Sequence, residues 1–331
     1  MISVTRETPM VSTSENTLRR WISYHLAVVF VTFVALFLQA VLGWRNLLFA
    51  LLQVILAVGF TAAWEVARQW LKKAPLGGYL DRYMQPLTAA LLAALLLPAR
   101  APLTMIVLAI FGIRFFSWLF MKMFKKLIIH PVLLSIVFIQ LFFREWLPLS
   151  ETMVNIFQES SLSVGRFRFW FGFYEGLTLG TTAFIILGFL WVYLSVTRII
   201  HFRMSVWYAL HLTGLVLAMT VFTDQTLWLL FTRLLLGYSV FALVFFVAEP
   251  TATPETPEMM AFYPFLAAMI TAWLRLRFDL LEAALYALVF AQFATWVFEQ
   301  FQQRTTRRRL RAVQIFIALT WVGWLLNIIL F

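Results

Sequence analysis

The sequence predicts an all-α polytopic membrane protein: two inverted five-helix repeats with short interrupted helices, plus one extra C-terminal span. Three observations carry this. The 331 residues are 63% hydrophobic and 12% charged with a mean hydropathy of +0.87, against ~45–50% apolar and ~25% charged in a soluble domain. Apolar windows recur along the whole chain. And a short apolar segment closed by Pro-x-x-x-Pro occurs twice, once before Pro98 and Pro102, again before Pro250 and Pro254. A dozen helical residues span under ~20 Å, too little for a hydrocarbon core of ~30 Å. Matched interrupted helices, one per half, mark an internally repeated transport-type protein.

In chain order, a polar tail over 1–20 precedes the first repeat, 21–146, with spans near 21–43, 47–70, 87–97, 103–121 and 130–143. A loop at 147–169 separates it from the second repeat, 170–301, with spans near 176–196, 205–222, 234–248, 259–274 and 280–299. A basic linker and an eleventh span, 313–331, occupy 302–331. The first apolar run is too long for a signal peptide and has no small-residue cleavage site, so the tail reads as retained. With a cytoplasmic N-terminus, sixteen Lys and Arg fall on one side and seven on the other, which obeys the positive-inside rule and predicts a multi-pass protein of a bacterial-type plasma membrane. Five spans per half is an odd number, so the halves insert oppositely and the loop at 147–169 faces outward.

The net charge of +11 sits in loops, where Lys122, Lys125 and Lys126 suit anionic lipid headgroups rather than nucleic acid. The chain has no cysteine, which excludes thiolate metal sites, disulfides and iron–sulfur clusters ligated by it.

Four motifs, in order over roughly residues 75–300, resemble one family. Thr88-Ala89 and the Leu/Ala run to Pro98 resemble a Thr-Ala-Leu-Leu-Leu segment. The basic stretch into Ile128-Ile129-His130-Pro131 resembles one ending Ile-Phe-Asn-Pro-Ala. Gly180-Thr181-Thr182-Ala183 resembles Gly-Glu-Thr-Ser. Glu249-Pro250-Thr251-Ala252-Thr253-Pro254-Glu255-Thr256-Pro257 resembles Asp-Pro-Val-Thr-Ser-Pro-x-Thr-Pro, the most specific of the set. The family is the D subunit of Rnf complexes and the related B subunit of sodium-translocating NADH:quinone oxidoreductase. The resemblance implies ten inverted-repeat spans, bound flavin (FMN or riboflavin), and electron transfer coupled to Na⁺ or H⁺ translocation. It also implies partners: other membrane subunits and subunits carrying flavin and iron–sulfur centres. On this reading the chain is at most a non-autonomous subunit of an oxidoreductase.

The departures are informative. The family attaches FMN to the Thr of a Gly-Ala-Thr-type motif in the outward loop; here that loop has only Thr152, without the flanking pattern, so the flavin is expected to be non-covalent. His130 stands at the motif Asn, Glu249 at the Asp and Thr181 at the Glu.

Candidate cofactor-binding residues are Arg114, His130, Thr181, Thr182, Arg233, Thr251 and Thr253, with Glu249 as the ion-coupling carboxylate. Helix ends within the membrane leave carbonyls or amides that a ligand, or simply the other half, must satisfy. Arg114 within the fourth span and Arg233 before the eighth either face a cavity or snorkel to headgroups. Glu65 and Arg68, three apart, read as a local ion pair; Glu282 reads as interfacial. His25, His130, His201 and His211 show no facing pair of the kind a bis-imidazole haem needs, so haem is disfavoured. Arg144, Arg166 and Arg168, with Phe167, Phe169 and Trp170, suit an interfacial aromatic belt better than a flavin phosphate site. Two competing functions use the same scaffold: a small-solute or flavin transporter, and a membrane anchor for a soluble reductase.

Overall fold

A computed structural model describes residues 14–71, 84–98, 100–147, 178–181, 184–222, 238–249, 253–254, 256–278, 280 and 282–302. These form ten α-helices: α1 Ser14–Leu42, α2 Trp44–Leu71, α3 Met84–Leu96, α4 Leu103–Phe124, α5 Pro131–Phe142, α6 Phe184–Val196, α7 Phe202–Phe222, α8 Tyr238–Phe245, α9 Pro257–Phe278 and α10 Ala283–Gln302. Among the described residues four helices contain stretches long and apolar enough to cross a membrane: Arg19–Leu42, Trp44–Leu71, Leu103–Phe124 and Glu258–Phe278.

The helices are patterned for lipid rather than water. On α2 the buried stripe includes Asn46, Gln53, Thr61, Glu65 and Gln69, while Leu48, Leu52, Ile55 and Trp64 are exposed. On α1, Tyr24, Val28, Val31 and Ala35 face inward, and Leu26, Phe30, Phe33 and Phe37 face out. Polar side chains inside and large hydrophobics outside is the arrangement expected where the solvent is hydrocarbon. Three interior threonine hydroxyls bond back to their own helix, Thr32 to the Val28 carbonyl, Thr271 to Ala267 and Thr295 to Ala291.

Both expected short helices are short. The thirteen residues of α3 and the eight of α8 rise about 20 Å and 12 Å. They form the centre of the core: Leu91 through Leu97 are all buried, as are Tyr238–Ala242 and Val244–Ala248. α3 ends because Pro98 disfavours helical conformation at Leu97 and cannot donate an amide. α8 ends in a tight turn in which the amides of Phe246 and Val247 both bond the Ala242 carbonyl.

The freed carbonyls are satisfied by protein. Tyr238, the first residue of α8, donates its hydroxyl to the Leu96 carbonyl at 2.9 Å, and Gln140 of α5 donates to that hydroxyl at 3.2 Å. Tyr24 of α1 donates to the Phe245 carbonyl at 2.9 Å, and Tyr263 of α9 to Phe246 at 3.5 Å, with Gln292 of α10 behind it. Gln53 of α2 holds the Pro98 carbonyl at 2.7 Å. Of the two alternatives for the helix ends, satisfaction by protein accounts for these carbonyls, with Tyr238 and Tyr24 reaching across from the other half and Gln53 and Tyr263 acting within their own.

The sixth span is a correction. Its window begins near 176, but α6 begins at Phe184 after a 3₁₀ turn over Leu179–Thr181. Thr178 instead pairs with Pro98 in an isolated antiparallel bridge, and the Leu179 amide reaches the Leu97 carbonyl at 3.4 Å. Those residues serve the end of α3, which leaves them unavailable to start a helix. Gly180 permits the approach: a Cβ there would overlap the Phe241 ring.

Candidate functional site

The N-terminal turns of α3, the C-terminal half of α4, the start of α5 and the residues after α8 line an open cavity of about 270 Å³. Its walls include Trp21 and Tyr24 of α1, Gln85 and Thr88 of α3, Arg114 and Ser117 of α4, His130 before α5, and Glu249 after α8. It therefore lies toward the end of the bundle where α1, α3 and α5 begin and α4 finishes. Three expected site residues, Arg114, His130 and Glu249, meet here although they are far apart in sequence. Only one helix break contributes: Glu249 follows α8, whereas the Pro98 end of α3 is packed away from this wall. The site is not the common meeting point of both breaks.

Arg114 is the twelfth residue of α4 and most of its side chain is buried. A cation at that depth needs a counterion. Glu65 of α2, 4% exposed, supplies it through Oε1 to Arg114 Nη1, and sits 3.7 Å from Arg68 through Oε2. Reading Glu65 with Arg68 alone missed the stronger partner. The signal was the arginine itself, whose position demanded an acid on a neighbouring helix. The second guanidinium nitrogen, Nη2, is buried with no hydrogen-bond partner among the described residues.

His130 occupies the N-cap of α5, and Pro131 at the first helical position explains why the helix starts there, since that amide would be unpaired anyway. The His130 backbone amide donates to Gln292 Oε1 of α10 at 3.0 Å, which ties the α4–α5 connection to the second half. The ring lies edge-to-face with Phe246, centroids 5.0 Å apart, and places Nε2 3.8 Å from Glu249 Oε2. Nδ1 is buried without a hydrogen-bond partner among the described residues. Thr88 donates to the Met84 carbonyl, so its contact with His25 Nδ1 at 2.7 Å makes His25 the donor. Neither Thr88 nor His25 had been singled out together; a one-turn back-bond leaves that threonine oxygen free to accept.

The other candidates divide. Thr253 lies in the α8–α9 connection, half-buried and away from the cavity lining. Thr181 closes the 3₁₀ turn that supports the α3 end. Thr182, Arg233 and Thr251 lie outside the described residues, as does nearly all of the 147–169 loop with Thr152, Arg166 and Arg168. Glu282, read as interfacial, is buried at the start of α10. His211 stacks on Trp207 and contacts Phe265, and His201 donates its backbone amide to Ala248.

A membrane bundle is what the resemblance implied, and two of its motif positions, His130 and Glu249, line the cavity. A model of the NQR2, RnfD, RnfE family matches residues 4–307. The chain belongs to that family. Members are membrane subunits of Rnf- and Nqr-type electron-transport complexes, multi-subunit assemblies of the plasma membrane. No curated protein matches the chain.

Proposed function

We propose that this chain is the flavin-holding membrane subunit of an electron-transfer complex, with FMN or riboflavin seated non-covalently in the Arg114–His130–Glu249 cavity. One observation carries the reading. Arg114, His130 and Glu249, from separate parts of the chain, line one cavity in an apolar bundle. Ionisable side chains converging on a cavity within a membrane bundle fit a polar ligand. The volume lies just below the ~300–1,000 Å³ of most ligand pockets, and suits the fused ring of the flavin better than its side chain. Trp21 and Tyr24 offer aromatic surface for such a ring.

A bound flavin would supply one- and two-electron transfer. The protein groups around it have separate tasks. Arg114 places positive charge where a reduced ring carries negative charge, and Glu65 keeps that guanidinium in place. Glu249 offers carboxylate oxygens of the kind Na⁺ or H⁺ coupling requires. Nicotinamide and iron–sulfur chemistry falls to partner subunits, because this chain has neither a Gly-x-Gly-x-x-Gly fingerprint nor a cysteine. We also take the halves to insert oppositely with the N-terminus cytoplasmic. An internal repeat is supported by Pro98, Pro102 and Gln140 recurring as Pro250, Pro254 and Gln292 at one constant offset; the direction of insertion rests on the charge count and the odd number of spans per half.

The test is purification of the full chain in mild detergent. We expect a yellow protein bleached by dithionite, an unmodified polypeptide mass, and flavin released into the supernatant on acid precipitation. Arg114→Gln should lose the colour. A polypeptide carrying the mass of one FMN would overturn the non-covalent claim. Colourless protein that takes up a small solute in liposomes would turn the reading to transport, for which the altered outward loop speaks.

A further inference from the structure

Resting on the flavin reading above, we infer that Trp21 is the residue on which the ring stacks, with Tyr24 behind it as a fixed support. α1 and α4 each pack against α3, and all three helices line the cavity. The space thus has one wall from α1, one from α4 and a floor from α3, and His130 and Glu249 complete it. The α4 wall carries Arg114, Ser117 and Met121, spaced three and four apart and so on one helix face. The α1 wall carries Trp21 and Tyr24, three apart. Besides His130, these two are the aromatic side chains among the lining residues.

The two aromatics are held differently. Tyr24 is 4% exposed, and its hydroxyl is bonded to the Phe245 carbonyl at 2.9 Å. Its ring meets Trp21 on one side and Phe245 on another, both near perpendicular with centroids 6.0 Å apart. Little of it is left for a ligand. Trp21 is half-buried and lies one turn nearer the start of α1. The Trp21 and Tyr24 planes are 86° apart. Whichever ring supplies the edge of that T, at least one indole face stays uncovered by Tyr24. Among the described residues no other ring packs on Trp21. A flat, electron-poor ring entering the cavity finds that face, in the offset stack that aromatic pairs favour.

The inference also gives the Tyr24 hydroxyl bond a second task. It anchors the ring behind Trp21 to the end of α8, so part of the ordering cost of the stacking surface is met before a ligand arrives. A site read through a π-face selects for a flat conjugated ring and is tolerant of substituents at its rim.

An indole stacked on an isoalloxazine quenches its emission: the light-excited ring takes one electron from the indole, leaving an indole radical cation, and then returns it. Phenylalanine keeps a flat surface but is far harder to oxidise. The experiment loads the purified full chain with riboflavin and records emission per bound flavin, with binding measured separately by equilibrium dialysis. Riboflavin on the wild-type protein should be dark, and transient absorption should show an oxidised indole appearing as the excited ring decays. Trp21→Phe should still bind and regain most of the emission. Trp21→Leu should bind about tenfold more weakly, equivalent to ~1.4 kcal/mol, and be bright. Tyr24→Phe, which keeps a ring and loses an oxidisable phenol, should stay dark. Bound riboflavin that is bright on the wild type, or as dark on Trp21→Phe as on the wild type, overturns the stacking assignment and leaves the flavin reading standing. Recovery in Tyr24→Phe but not in Trp21→Phe does the same. Failure of the wild-type protein to bind riboflavin overturns both. The transient-absorption measurement requires no variant to fold.

Discussion

The two short helices end in differently built surroundings. After α3, Tyr238, Gln140, Gln53, Leu179 and the Phe241 ring against Gly180 close the break tightly. After α8, Tyr24 and Tyr263 cap the last carbonyls, but the chain then enters the cavity wall at Glu249. Both breaks solve the same problem of backbone carbonyls in hydrocarbon. Only the second sits beside Arg114 and His130. Two helix breaks of one kind therefore differ in their side-chain surroundings, and those side chains decide which one adjoins the cavity.

The largest effect should come from the cavity side. Glu65→Ala leaves Arg114 without its counterion, and breaking a buried pair costs ~3–5 kcal/mol. Thermal unfolding in detergent should show a large drop, and Glu65→Ala with Arg114→Met should recover much of it. A single variant that melts like wild type would show that the pair contributes nothing to the fold. Next is the packed side. Gly180→Ala drives a methyl into Phe241, an overpacking cost of ~1–3 kcal/mol, whereas Gly59→Ala meets no atom within 4 Å and should be neutral. Equal melting of the two variants would mean that the α3 break is less tightly packed than described.

The contrast is sharpest with matched tyrosines. Tyr238→Phe strands both the Leu96 carbonyl and the Gln140 amide in a dry setting, at ~1–3 kcal/mol. Tyr24→Phe frees one carbonyl beside the cavity, where water can replace the lost donor, so its cost should fall near ~0.5–1 kcal/mol. If Tyr24→Phe proves the more damaging, the α8 end is the drier of the two. The smallest effect is expected at Lys122, which lies 4.8 Å above the Trp118 ring on the exposed surface. Lys122→Ala should leave the melting temperature unchanged within error and shift only retention on anionic-lipid vesicles.

Much of this was legible in the sequence, for identifiable reasons. Proline positions and apolar run lengths are local, so both short helices were visible before any coordinates. Arg114, His130 and Glu249 stood out because charge within an apolar run is costly and because they occupied motif positions. The Glu65–Arg114 pair joins α2 to α4, and no spacing rule connects residues on separate helices. Glu65 was instead assigned to Arg68, its neighbour on the same helix. The start of α6 was misplaced because hydrophobicity cannot distinguish a span from a bridge residue and 3₁₀ turn that pair with another helix's end. The tyrosine caps were invisible for a similar reason, since an aromatic in a membrane helix reads as bulk until its hydroxyl is seen to find a carbonyl.

The tyrosine caps also bear on biogenesis. Tyr24 belongs to the first helix and closes a carbonyl in the eighth; Tyr238 begins the eighth and closes one in the third. Each bundle, emerging from the ribosome alone, lacks one tyrosine donor that its sibling supplies. Co-expressed fragments divided in the connecting loop should survive proteolysis together and be degraded apart.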